Sequence, residues 1–329
     1  MRLINCKSLE SLWLEGFEPS NAPKKYAILS HTWERFQRSE KTLEVLFDDF
    51  PPNTHRRDET NESGWRKIEE ACREAKAFDN DIEYLWVDSC CINKKDVAEL
   101  SEAINSMFQW YAHSTVCIAY LSDVSDAKAD ALDPSARWFT RGWTLQELVA
   151  SPRVRFYDKD WHFIGDKVSL SGTLAEITSI DVELLRAVDD QTITRKLCRI
   201  PACQKMSWAS RRRTTKVEDT AYCLLGIFDI QMPLLYGERE AAFKRLQEVI
   251  VNKYNDLTIL AWKARNTHFK THTSKHVMYH SWESGLVALD LQSRVRHHQQ
   301  GSKDDLDAAK KRTIWELPDG IDVPHNKDV

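Results

Sequence analysis

Four residues of types that bind or transform ligands, His31, Trp33, Asp88 and Asn93, stand at or just past the ends of short apolar runs, Tyr26-Ala27-Ile28-Leu29 and Tyr84-Leu85-Trp86-Val87. Both runs are rich in β-forming residues and read as buried strands. If the strands are parallel, all four side chains gather beyond one edge of a sheet, which is where open α/β proteins bind ligands. Each residue also has a plainer reading. Asp88 can cap the turn that follows it by accepting backbone hydrogen bonds, and His31 can be a satisfied structural histidine.

Other groups are weaker carriers of chemistry. Cys90-Cys91 could pair a nucleophile with a base, but adjacent cysteines at a strand end serve more often as packing. Cys198 and Cys203 have no second pair at zinc-site spacing. His268, His272, His276 and His280 recur every fourth residue. Positions so spaced drift around a helix, so the four cannot share one ion, and a polar loop is the simpler reading; no metal is expected. Arg211-Arg212-Arg213 with Lys216 could grip a phosphate or form internal ion pairs. The run is too short and too poor in aromatics to point to nucleic acid.

The elements that must position these residues follow from periodicity. Strands are expected at 26–31, 84–87, 116–120 and 154–157. A helix capped by Ser63 presents Trp65, Ile68, Cys72 and Ala75 to a core, and a second presents Leu100, Ile104, Met107, Phe108 and Tyr111. A short helix suits 140–149. Strands alternating with helices predict an α/β fold with a parallel, doubly wound sheet. Beyond Gly165 the pattern is helical, with segments near 182–185, 203–210, 217–228 and 240–253, and Leu257–Trp262 reads as a returning strand. The expected division is an α/β core over 1–165, a helical part of the same domain over 166–262, and a polar, histidine-rich, partly disordered tail over 263–329.

The 329 residues carry 46 Lys and Arg against 50 Asp and Glu, a net charge of -4, so no bulk field recruits nucleic acid or an anionic membrane. No run reaches the roughly 18–20 apolar residues of a membrane span, and the first residues have no signal-peptide core. The eight scattered cysteines read as thiols in a reducing compartment. A cytoplasmic protein is expected.

Six long strings resemble the fungal heterokaryon-incompatibility family and run in that family's order. They are Tyr26–Trp33, Leu85–Asn93, Ala98–Met107, Trp138–Leu148, Met206–Ser210 and Glu218–Phe228. The chain departs from the pattern at Glu34 and Arg239, where glycines are usual, and at Asn93, where aspartate is common. The resemblance implies an effector of non-self recognition and programmed cell death, acting on an incompatibility partner or through self-association. No resident cofactor is expected.

The family is in turn distantly similar to Toll/interleukin-receptor domains, some of which cleave NAD. That similarity makes Trp143-Thr144-Leu145-Gln146-Glu147 the counterpart of a helix bearing a catalytic glutamate. Glu147 would stabilise an oxocarbenium-like transition state, with NAD as substrate and with His31, Trp33, Asp88, Asn93, Arg141 and Trp143 shaping its pocket. The alternatives are that Glu147 is a surface acid paired with Arg141, and that the domain is a non-enzymatic interaction module.

Overall fold

The computed structural model describes residues 1–9, 12–34, 42–50, 61–125 and 132–260. Its seven strands are β1 (Arg2–Asn5), β2 (Trp13–Gly16), β3 (Ala27–His31), β4 (Tyr84–Trp86), β5 (Val116–Tyr120), β6 (Val154–Tyr157) and β7 (Phe163–Asp166). They form one sheet in the order β2-β1-β4-β3-β5-β6-β7. β4, β3, β5 and β6 are the four expected strands, and they pair in parallel. Every residue of β3 and β5 is buried, the mark of strands covered on both faces.

The expected parallel, doubly wound sheet forms the core, and antiparallel strands extend it on both sides. β1 pairs antiparallel with β2 and β4, and β7 antiparallel with β6. These edge strands have four residues each, too short for a readable alternation.

From β3 the chain passes through α1 (Glu62–Phe78) to β4 on one side, then through α2 (Val97–His113) to β5 on the other. Right-handed crossovers in opposite directions put α1 and α2 on opposite faces. They also make the gap between the carboxyl ends of β3 and β5 the topological switch point. α1 starts at Glu62, ahead of the expected Ser63, and buries Trp65, Ile68, Cys72 and Ala75 as its spacing predicts. α2 is capped by Asp96, whose carboxylate accepts from the amides of Ala98 and Glu99 at 2.9 and 3.1 Å.

The helix expected over 140–149 is two, α3 (Arg137–Thr140) and α4 (Trp143–Ala150). They are parted where Gly142 donates to the carbonyl of Arg213 at 2.9 Å. A Cβ on Gly142 would stand 2.5 Å from Cγ2 of Thr214, so only glycine admits this approach. α4 packs on α2, with Ser151 Oγ donating to the carbonyl of Tyr111 at 3.2 Å.

The second half is helical: α5 (Ser171–Thr178), α6 (Val182–Leu185), α7 (Asp190–Leu197), α8 (Ala202–Ala209), α9 (Asp219–Tyr222) and α10 (Ala241–Tyr254). Two expectations are corrected here. Only Asp219–Tyr222 of 217–228 is α-helical, the rest being turns, and Leu257–Leu260 forms a 3-10 turn rather than a strand. The histidine series and the tail over 263–329 lie outside the described residues. Among the described residues no helix is long and apolar enough to cross a membrane.

The reading of all eight cysteines as thiols is also corrected. The end of β1 lies against the core face of α1, and Cys6 and Cys72 are joined there as a disulfide. Cys90 and Cys91 are buried free thiols. Burial pushes the Cys90 thiol well up, which fits packing rather than nucleophilic attack.

Arg239 occupies the left-handed region at φ 52°, beside Gly237 at φ 108°. Glu218 holds the turn by accepting from the amides of Gly237 at 2.7 Å and Arg239 at 3.1 Å. The arginine bears a backbone cost of about 1 kcal/mol there that glycine would not. Its exposed ion pair with Glu240 at 3.7 Å offsets little. Arg239→Gly is therefore expected to raise the unfolding free energy by about 1 kcal/mol in urea titration. An unchanged or lower midpoint would refute this account of the turn.

Candidate functional site

Beyond the ends of β3 and β5, at the switch point, lies a cleft of about 280 Å³ lined by Thr32, Trp33, Arg137, Arg141 and Thr215. Thr32 and Trp33 directly follow β3, and α3 brings Arg137 across to them. The Arg137 guanidinium donates from Nε and Nη2 to Thr32 Oγ1 at 3.1 and 2.8 Å, and from Nη2 to Ser122 Oγ at 3.2 Å. Its amide donates to Asp123 Oδ2 at 2.7 Å, which fixes the start of α3. Arg141 Nη1 donates to Thr215 Oγ1 at 3.3 Å. Burial, and then the nearby charge of Arg137, draw the Arg141 guanidinium below its usual range, against the pull of Asp219, Glu147 and Asp88.

The indole of Trp33 is fixed from behind. Its Nε1 lies 3.1 Å from both oxygens of Asp88. Lys94 Nζ is 3.2 Å from Asp88 Oδ2 and 3.8 Å from the centroid of the Trp33 ring. His31 Nε2 is 3.1 Å from Asp88 Oδ1. The other nitrogen of that ring faces inward, Nδ1 lying 3.3 Å from Lys67 Nζ and 3.5 Å from Glu44 Oε2. Lys67 donates to both oxygens of Glu44 at 2.8 and 3.0 Å, and Glu44 also accepts the amide of Glu34 at 2.8 Å.

A line of charged and polar groups thus runs from the cleft wall into the interior. Burial opposes ionisation of Asp88, but Lys94, His31 and Trp33 outweigh it and hold the carboxyl far below its ordinary range. Glu44 is likewise pushed up by burial and drawn down further by His31 and Lys67.

Glu147, on α4, is 7% exposed and does not line the cleft. Ser30 donates its hydroxyl to Glu147 Oε2 and accepts from Trp138 Nε1 at 2.8 Å. These two partners stand two residues before Thr32 and one after Arg137, both of which line the cleft. Glu147 is not the surface acid paired with Arg141 that helix position alone allowed. Burial, helped by the charge of Asp88 and opposed by Ser30, Tyr111 and Arg212, raises its pKa to about 8. The group is mostly protonated at neutral pH.

The remaining expected residues fall apart spatially. Asn93 belongs to the turn into α2. Its amide donates to Glu99 Oε1 at 2.8 Å, and its side chain accepts from the amide of Lys95 at 3.2 Å. Trp143 is not among the residues lining the cleft and donates to Asp219 Oδ2 at 3.4 Å; Tyr236 donates to the other oxygen at 2.9 Å. Arg212 is buried, donating to the Arg141 carbonyl and Thr144 Oγ1 at 2.9 Å each, so the middle of the basic run braces α4.

Asp158, Asp160 and His162 hold ligand atoms within 4.8 Å of one another. Asp158 is nevertheless committed to the amides of Asp160 and His162, at 2.9 Å each, as in an ordinary Asx turn.

The geometry adds Thr32, Arg137, Thr215, Ser30 and Trp138 to the site, and Glu44 and Lys67 behind it. Arg137 is four residues before Arg141 and abuts an expected motif, the one signal by which sequence could have found it.

Residues 26–137 match the profile of the family described as heterokaryon incompatibility protein. The vegetative incompatibility protein HET-E-1 of Podospora anserina is 41% identical over 245 residues, covering 70% of this chain and 16% of that protein. The chain therefore spans about a sixth of that relative's length. No solved structure matches the chain.

Proposed function

The chain carries a heterokaryon incompatibility domain, and on that premise we propose that it is an effector of fungal non-self recognition that hydrolyses the nicotinamide–ribose bond of NAD at the switch-point cleft. The observation that carries this reading is Glu147, a buried carboxyl of raised pKa bonded to Ser30, which also accepts from Trp138; these two are near neighbours in sequence of Thr32 and Arg137, which line a cationic, tryptophan-walled cleft. The likeness of Trp143–Glu147 to the catalytic helix of NAD-cleaving Toll/interleukin-receptor domains also supports it.

In the reaction the C1′–N bond breaks and its electron pair leaves with the nicotinamide nitrogen. The positive charge left on the ribose is stabilised by ionised Glu147. Water then adds to C1′, giving up a proton to the carboxylate and thence to solvent. Trp33, steadied by Asp88, offers a flat wall to a ring, and Arg141 faces the negative part of the substrate. The site of action is the cytoplasm, where NAD is plentiful, and the α/β core over 1–165 and helical part over 166–262 act as one domain.

A second reading, a module that signals by binding a second copy or an incompatibility partner, is favoured by the hydrogen bond that ties Glu147 to Ser30 and keeps it off the cleft surface. The deciding measurement is nicotinamide release from NAD by the purified chain. Linear release proportional to chain concentration, abolished by Glu147→Gln, is expected. No release, even at concentrations that force self-association, would favour the binding module.

A further inference from the structure

We propose that Arg137 and Arg141 form a subsite for a phosphoryl anion, the pyrophosphate of a dinucleotide, with Thr32 and Thr215 orienting the two guanidinium groups. The inference deepens the reading above and rests on the same cleft being the ligand site.

Its first support is the contrast with arginines elsewhere. Arg2 meets Glu99 at 2.6 Å, and Arg245 and Arg73 meet Glu238 and Glu70. The guanidinium groups of Arg137 and Arg141 instead bond only to hydroxyls among the described residues, so neither is paired directly with a carboxylate.

The nearby carboxylates are already engaged. Asp88 is held by Trp33, His31 and Lys94, Asp219 by Tyr236 and Trp143, and Asp123 by the amide of Arg137. Neutral hydroxyls fix the direction of a guanidinium without cancelling its charge, which is the arrangement a binding site for an external anion requires.

The second support is mutual repulsion. The two cations stand four residues apart across the break between α3 and α4, and the charge of Arg137 helps draw the Arg141 guanidinium below its usual range. An anion between them would relieve that repulsion, whereas an empty cleft leaves it in place.

The third support is donor count. A guanidinium has five N–H donors. Arg137 uses those of Nε and Nη2 on the protein, leaving the two of Nη1, and Arg141 uses one of Nη1, leaving its other and those of Nε and Nη2. Donors from two forks suit the several oxygens of a phosphoryl group, whereas a single planar carboxylate is satisfied by one fork.

The test is calorimetric titration of the full chain with inorganic pyrophosphate as probe, at two salt concentrations. One site per chain is expected, weaker at higher salt. Arg137→Gln and Arg141→Gln are each expected to weaken it roughly tenfold or more. Arg137→Lys, which keeps the charge and loses the fork, should fall between, and its retained binding also shows that the chain is folded. Arg195→Gln, on α7 and bonded only within its own helix, should leave binding unchanged.

Absence of saturable binding, or equal weakening by Arg195→Gln, would overturn the subsite. Pyrophosphate binding without nicotinamide release would sustain the subsite and remove the hydrolase reading. Release that ignores Arg137→Gln, with no pyrophosphate binding, would do the reverse.

Discussion

Replacing Glu147 by glutamine should stop nicotinamide release and at the same time make the protein more stable than the parent at alkaline pH. The folded-state pKa of Glu147 is raised, chiefly by burial, to about 8 from an ordinary 4.5. The native state therefore holds this proton more tightly than the unfolded chain does. The associated stability is fully present below about pH 4.5 and is lost as pH rises through about 8. Between pH 5 and 9 that loss amounts to roughly 4 kcal/mol.

Glutamine has no proton to lose, so the variant is exempt. Lys167 works in the opposite sense, because burial draws its pKa down to about 7 and its contribution to stability grows above that pH. Variant minus parent is thus the quantity to follow, since the Lys167 contribution cancels in it. Urea titrations at pH 5, 7 and 9 should show the difference swinging towards Glu147→Gln by roughly 4 kcal/mol. A flat difference would mean that the carboxyl is not held neutral in the native state.

Because the hydrolysis needs the ionised form, release by the parent chain should also climb with pH and level off above about 8. Stability given up at one residue and recovered by removing its function is what a catalytic group, rather than a packing group, would show.

Which parts of this arrangement were visible beforehand follows from the range over which each signal acts. The strands β3, β4, β5 and β6 were legible because they are short, mainly apolar runs rich in β-forming residues and flanked by polar turns. The core faces of α1 and α2 were legible because their apolar residues keep helical spacing. Glu147 was harder. Thr144–Ala150 is buried at every position, and a helix so rich in apolar residues should have suggested burial for its acid as well.

The separation of α3 from α4 depends on the backbone of Arg213 meeting Gly142, a contact 71 residues apart in sequence that no local pattern contains. Asn93 was drawn into the site by its place after β4, yet Glu99 a turn later claims it. Arg137 was missed because its role comes from Thr32 and Ser122, residues 105 and 15 positions away.

Lys67 is the plainest example of long-range control, and removing it should have the largest effect on stability. A lysine on a helix reads as a solvated residue, but here it is 4% exposed, with its ammonium against Glu44, which is 3% exposed. Lys67→Met keeps the length of the side chain and deletes the charge. Glu44 is then left buried with one cationic neighbour fewer, a change expected to cost about 3–5 kcal/mol.

Glu44→Gln alone should also destabilise, by stranding the ammonium. The double variant Lys67→Met with Glu44→Gln should recover much of the loss, because a neutral pair of similar volume leaves no charge to be desolvated. A urea double-mutant cycle checks this through a coupling energy of several kcal/mol. Single variants that stay within about 1 kcal/mol of the parent would show the pair to be solvated rather than buried. His31 touches both members of the pair and passes their placement to Asp88, which fixes Trp33 at the cleft. The single variants should therefore weaken ligand binding at the cleft even under conditions where they remain folded, and the double variant should restore less of that binding than of the stability, since His31 would face neutral groups in place of the ion pair.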